Sequence, residues 1–233
     1  MSEALAPRVI VALDYATARD ALVFVDQISP DLCRLKIGKE LFTAAGPEFV
    51  RRLVERNFSI FLDLKFHDIP NTVAKACVAA ADLGVWMINV HCLGGRKMME
   101  AASQAIKKGN YPTHLIGVTL LTSMDTASCQ EIGLSTDIEG QVLKLAKLAK
   151  DCGLGGVVCS ANEATLIRQQ CGENFLLVTP GIRDNTMPPD DQRRTMTAQE
   201  AVAAGSDYLV IGRMITADPT PVEKLKTINA NLR

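Results

Sequence analysis

The sequence predicts a single-domain α/β protein, a parallel (β/α)8 barrel of the TIM type spanning residues 1–233. Three observations carry that prediction. Eight short runs rich in β-branched residues recur along the chain, each followed by a longer stretch with helical spacing, the alternation of a parallel sheet covered by helices. Several runs are apolar on both faces, as strands between a filled barrel interior and an outer helical ring must be. The length of 233 residues falls within the ~200–400 of such barrels, and no linker or low-complexity tract divides it. An open doubly wound sheet is the alternative, but the first βα turn, Leu13-Asp14-Tyr15-Ala16, lacks the glycines of a dinucleotide fingerprint.

Taken in order, the first run, 9–13, stops at Asp14, and the second, 33–37, carries Lys36 near its end. The third, 59–64, leads into Asp63-Leu64-Lys65-Phe66-His67-Asp68-Ile69-Pro70-Asn71-Thr72. The fourth, 87–90, is closed by His91, and the fifth, 115–120, by a loop containing Thr122 and Ser123. The last three, 156–159, 175–178 and 208–211, precede Ser160, the Thr179-Pro180-Gly181 turn and the Gly212-Arg213 turn. Two helices announce their starts through capping boxes, Ser160 with Glu163 and Thr197 with Glu200. Between 139 and 152, Val142, Leu145, Ala146, Ala149 and Cys152 form an apolar stripe opposed by lysines, and Gly153 supplies a left-handed stop.

Composition narrows the function classes. With 48% hydrophobic residues the chain can bury a substantial core, yet no run approaches the ~18–20 apolar residues of a membrane span. The first residues show neither a basic nor an apolar signal region, so the cytoplasm is the expected compartment. Seven cysteines, an odd number without C-x-x-C spacing, read as buried thiols rather than a disulfide framework or a zinc site. A net charge of −1 provides no global basic field for nucleic acid, so any anion must be held locally.

In a barrel of this kind the active site forms where strands end and βα loops begin. Strand alternation puts Asp63 and Lys65 on one face and Leu62, Leu64 and Phe66 on the other, so a carboxylate and an ammonium point together into the barrel mouth. Alone, that pair is equally readable as a satisfied ion pair. Lys36 and Asp14 at neighbouring strand ends tip the balance, because burying alternating charges costs far more than an apolar layer. Asp68 falls just past the strand and faces either its own site or a neighbouring molecule. Phosphate recognition has a separate argument, since barrels often hold phosphate with glycine-bearing loops after strands seven and eight. Gly181 and Gly212 occupy those loops, with Arg213 and Arg183 as cationic partners. The polar segment 184–194, containing Gln192, is long for a βα connection and is expected to act as a lid. His67, His114, Trp86, Met98 and Met99 read as structural or surface residues, Gly94-Gly95 as a turn, and His91 equally as site or scaffold.

The stretch from Phe61 to Thr72 resembles the D-x-K-x-x-D-I-P-x-T signature of orotidine 5′-phosphate decarboxylases. The resemblance extends over nearly the whole chain, through Lys36-Ile-Gly, Leu-Thr-Ser-Met at 121–124, Thr-Pro-Gly-Ile-Arg at 179–183 and Ile-Gly-Arg at 211–213. It implies loss of CO2 from C6 of a pyrimidine nucleotide to leave a carbanion, without cofactor or metal. Lys65 would stabilise and then protonate that carbanion, with Asp63 and Asp68 flanking the departing carboxylate. Lys36 and Asp14 would extend the charge network to the ribose, and Thr72 would join the substrate contacts. Ser123 would read the pyrimidine edge, Thr122 would support the ribose, and Gln192 would bridge phosphate and pyrimidine. Gly212, Arg213 and Arg183 would hold the phosphate. The family also implies a C2 homodimer in which Asp68 serves the partner's site. Two rivals stand beside this reading: a metal-dependent sugar-phosphate decarboxylase or aldolase of the same superfamily, which shares D-x-K-x-x-D, and a phosphate-binding barrel without catalysis.

Overall fold

The structure is a computed structural model that describes residues 7–183 and 196–232. The chain runs β1 (Val9–Ala12), α1 (Ala18–Val25), β2 (Arg34–Gly38), α2 (Lys39–Glu55), β3 (Ile60–Phe66), α3 (Pro70–Ala81), β4 (Met87–His91) and α4 (Gly95–Lys108). It continues through β5 (His114–Val118), α5 (Thr126–Glu131), α6 (Ile138–Asp151), β6 (Gly156–Val158), α7 (Ala161–Cys171) and β7 (Leu176–Thr179). The described chain ends with α8 (Ala198–Ala203), β8 (Tyr208–Ile211), α9 (Arg213–Thr216) and α10 (Pro221–Asn231). All eight strands pair in parallel and in sequence order, and β8 returns to β1 through Val9–Leu209, Ile10–Val210 and Val11–Ile211, so the barrel is closed. The open-sheet alternative is thereby excluded.

Local chemistry explains the elements that direct the chain. Both capping boxes are formed, at Ser160 with Glu163 and at Thr197 with Glu200, each satisfying two otherwise orphaned backbone donors. The stripe of α6 buries Val142, Leu145, Ala146 and Ala149, and Gly153 follows at φ +78°. In α2, Gly46 at φ +71° immediately before Pro47 breaks the helix into two pieces.

Two apolar bodies result. The larger lies between strands and helices, and takes in Leu62, Leu64 and Phe66 from the outward face of β3. The smaller fills the barrel, with Ile10, Ala12, Phe61, Met87, Ile116, Val178 and Val210 packed together as a floor beneath the mouth. Below it, the Arg34 guanidinium stacks 4.0 Å over the Trp86 ring and 5.2 Å from that of Tyr208, closing the far end. All seven cysteines are free and buried, as their spacing predicts. No helix among the described residues is long and apolar enough to cross a membrane.

One pairing departs from ideal geometry. Between β3 and β4, Leu62 pairs with Ile88 but the next matched pair is Phe66 with Val90, so Asp63, Leu64 and Lys65 together face Asn89. This is a bulge, the device by which a strand re-aims a side chain beside a site.

Candidate active site

The C-terminal strand ends enclose a cleft of about 460 Å³, lined by Asp14, Lys36, Asp63 and Lys65 on one side and by Thr122, Ser123, Arg183, Gly212 and Arg213 around its rim. The charged residues form one chain of contacts. Lys65 Nζ donates to Asp63 Oδ1 at 2.7 Å, Lys36 Nζ lies 3.5 Å from Asp63 Oδ2, and the same ammonium lies 3.4 Å from Asp14 Oδ1. Exposure grades along this chain: the side chains of Asp63 and Lys36 are 12% and 11% exposed, Lys65 27%, and Asp14 63%. Burial alone would push the Asp63 carboxyl up. The ammonium groups of Lys36 and Lys65, with hydrogen bonds from Lys65 and Asn89, outweigh it and hold Asp63 below the usual carboxylate range. Asp63 is therefore a fixed anion between two cations.

Lys65 itself sits at φ +51°, in the left-handed region that a residue with a long side chain rarely adopts. Its backbone N–H has left the strand ladder and donates instead to Asn89 Oδ1 at 2.7 Å, while Asn89 Nδ2 donates to Asp63 Oδ1 at 2.7 Å. Asn89 is fully buried. Its signal in the sequence is a polar side chain inside the apolar 87–90 run, since a buried amide must find partners.

The opposite side of the mouth is built from turns. Gly181 takes φ +80° after β7, and Gly212 separates β8 from α9, which opens on Arg213. Gly212 lies beside the first strand end, where a Cβ built on it would be in ordinary contact with Asp14 Oδ2 at 3.5 Å and with Ala12 Cβ at 3.7 Å. Thr122 is buried and Ser123 exposed at the rim.

Two expected site residues do not line the cleft of this chain. Asp68 is exposed, with Oδ1 accepting from the Ile69 backbone N–H at 2.6 Å, and Thr72 is exposed on the first turn of α3. Gln192 and the expected lid at 184–194 lie outside the described residues. His91 also stays out of the lining. It stacks on His67 with centroids 5.5 Å apart, and its Nδ1 accepts from the Leu93 N–H at 3.4 Å. Burial, then the neighbouring His67, Lys65 and Lys39, push the His91 imidazole down to about 4.

Comparisons with known proteins agree with this architecture. The family model for orotidine 5′-phosphate decarboxylase / HUMPS matches residues 7–228. An orotidine 5′-phosphate decarboxylase of Nitrosococcus oceani is 56% identical over 227 residues, covering 97% of each chain. One of Vibrio cholerae serotype O1 is 57% identical over 227 residues, 97% of this chain and 98% of the other. The crystal structure of orotidine 5′-phosphate decarboxylase from Lactobacillus acidophilus superimposes with a TM-score of 0.86 at 35% identity, covering 97% of this chain and 98% of that one. With its signature at the mouth of a closed barrel and these relatives across nearly its full length, the chain belongs to the orotidine 5′-phosphate decarboxylase / HUMPS family.

Proposed function

We propose that the chain decarboxylates orotidine 5′-phosphate to uridine 5′-monophosphate and CO2, a carbon–carbon lyase step of pyrimidine nucleotide synthesis. The observation that carries the proposal is the Lys36–Asp63–Lys65 array, two ammonium groups clamped on one buried carboxylate at the mouth of the cleft. As the C6–CO2 bond breaks, its electron pair stays on C6. The Lys65 ammonium, already held in place, offers its charge to that pair and then gives it a proton, and the neutral amine recovers a proton from solvent. A cation preorganised where negative charge develops stabilises the transition state without reorganisation at the moment of reaction. Asp63 fixes Lys65 and sets a negative charge beside the departing carboxylate.

Arg213, Arg183 and the Gly181 and Gly212 turns hold the phosphate, with Gln192 bridging from the 184–194 segment. Lys36 and Asp14 take the ribose hydroxyls, Thr122 supports them, and Ser123 meets the pyrimidine edge. Asp68, exposed in this chain, serves the site of a partner subunit in a C2 homodimer, and Thr72 joins the substrate contacts. The proposed compartment is the cytoplasm.

The donor set speaks against the metal-dependent rival, because both oxygens of Asp63 face ammonium groups that would repel a divalent cation. Among the described residues, no group of three or more His, Cys, Asp or Glu side chains is arranged to hold a metal ion. The test is the ultraviolet absorbance of orotidine 5′-phosphate incubated with the protein in excess chelator. Loss of the conjugated carboxylate changes the spectrum as uridine 5′-monophosphate forms. An unchanged spectrum with folded protein would overturn the proposal, and activity appearing only with added metal would favour the rival.

A further inference from the structure

We infer that Asn89 is a positioning residue for Lys65, fixing both the backbone that presents the lysine and the carboxylate that its ammonium grips. The inference rests on the assignment of Lys65 to the reacting carbon. Asn89, on β4, closes a ring of contacts with β3: its Oδ1 accepts from Lys65 N, and its Nδ2 donates to Asp63 Oδ1. Asp63 Oδ1 in turn accepts from Lys65 Nζ. The bulge explains why a side chain is needed. Three residues of β3 face Asn89 alone, so the strand ladder has no carbonyl to offer the Lys65 amide. An orphaned amide and a left-handed lysine are each unfavourable. A carboxamide supplies an acceptor and a donor at a fixed separation, and at this position it meets both requirements.

The ring also decides which residues would substitute. Leucine has the same branching but neither bond, leaving the Lys65 amide without its acceptor and Asp63 Oδ1 with one donor fewer. Aspartate has the same size and keeps the acceptor, but at neutral pH it replaces the donor with an oxygen facing the Asp63 carboxylate. Asn89 does not line the cleft and lies fully buried, so its effect on substrate passes through Lys65 and Asp63.

The experiment compares Asn89→Leu and Asn89→Asp with the unaltered protein by amide hydrogen exchange, kcat, and affinity for uridine 5′-monophosphate. In Asn89→Leu, the Lys65 amide should exchange at least tenfold faster while those of Phe61 and Val90 keep their protection. In the same variant, kcat should fall at least a hundredfold with nucleotide affinity within threefold. In Asn89→Asp, the Lys65 amide should stay protected, and kcat relative to the unaltered protein should recover as pH falls and the new carboxyl regains a donor hydrogen. Unchanged Lys65 exchange and kcat in Asn89→Leu would overturn the inference. So would parallel loss of kcat, nucleotide affinity and protection throughout β3 and β4, which marks a scaffold role. If Asn89→Leu does not fold, a pH-independent kcat ratio in Asn89→Asp overturns it instead. The exchange measurement uses no substrate, so failure of the proposed decarboxylation would be seen separately.

Discussion

Replacing Lys65 by alanine and by glycine separates what the residue does for chemistry from what it costs the fold. Alanine removes the 2.7 Å bond to Asp63. A hydrogen bond to a charged group contributes about 1.5–3 kcal/mol. Asp63 keeps Asn89 at 2.7 Å and Lys36 at 3.5 Å, and the lysine side chain is 27% exposed, so the lower part of that range applies. A loss of about 2 kcal/mol corresponds to a Tm lower by about 4–8 °C in a chain of this size. Glycine loses the same bond but relieves the φ of +51°. Relief of about 1–2 kcal/mol exceeds the about 0.4–1 kcal/mol that glycine loses to unfolded-state entropy. The glycine variant should therefore melt about 1–4 °C above the alanine variant, the reverse of the usual order within a strand. Turnover should fall in both by about 10⁴-fold or more, since electrostatic stabilisation and proton donation each contribute at least about 10²-fold. Scanning calorimetry and orotidine 5′-phosphate absorbance give the two readouts. A glycine variant melting below the alanine variant would refute the strain argument, and turnover within a hundredfold of the unaltered protein would remove Lys65 from its role.

Three further outcomes follow from the same geometry. Arg213→Ala should lower kcat/KM for the phosphorylated substrate by about 10²-fold or more, as expected for about 3 kcal/mol of lost charge-assisted binding. Added phosphite dianion should partly restore turnover of the truncated nucleoside by the unaltered protein, and steady-state kinetics check both. Inactive Lys65→Ala and Asp68→Ala proteins, unfolded, mixed and refolded together, should regain roughly a quarter of their sites if the proposed homodimer shares Asp68 across its interface, since each mixed dimer would then hold one intact site. Verified mixed dimers without activity would show that Asp68 acts in its own subunit. His91 is held near 4 against 6.5 in the unfolded chain, so the unfolded state binds the extra proton between those values. The stability it contributes is complete above about pH 6.5 and is lost as pH falls towards 4. Denaturant titrations of His91→Asn should show a flatter stability profile across that window.

The sequence made most of this site legible because its signals are local. The capping boxes of α7 and α8 need only four consecutive residues, and the glycine turns after β7 and β8 need fewer. Strand alternation was enough to put Asp63 and Lys65 on one face, and Leu62, Leu64 and Phe66 do pack on the other. What stayed illegible depends on contacts across the barrel. The sequence predicts a third strand ending at 64, yet the strand runs to Phe66, where Asn89, 24 residues beyond Lys65, accepts the amide that the bulge releases. No propensity of Lys65 predicts its left-handed backbone. The sequence predicts a fifth strand reaching 120, and the strand ends at Val118. There Thr119 turns both its amide and its hydroxyl to the Val158 carbonyl, and the chain passes into the cleft rim. Asp68 had no periodicity to orient it once the strand had ended, and its direction is set by its bond to the Ile69 amide.

The reaction assigned to Lys65 leaves a mark in its product. If a C6 carbanion takes its proton from this lysine, whose ammonium hydrogens exchange with solvent, reaction in deuterium oxide must put solvent-derived label on C6. Orotidine 5′-phosphate turned over in D2O with excess chelator should yield uridine 5′-monophosphate carrying one deuterium at C6 and none at C5 for each CO2 released, read by proton NMR and mass spectrometry. Folded protein that forms no such product, or that places deuterium at C5 instead, would contradict decarboxylation through a C6 carbanion in this cleft.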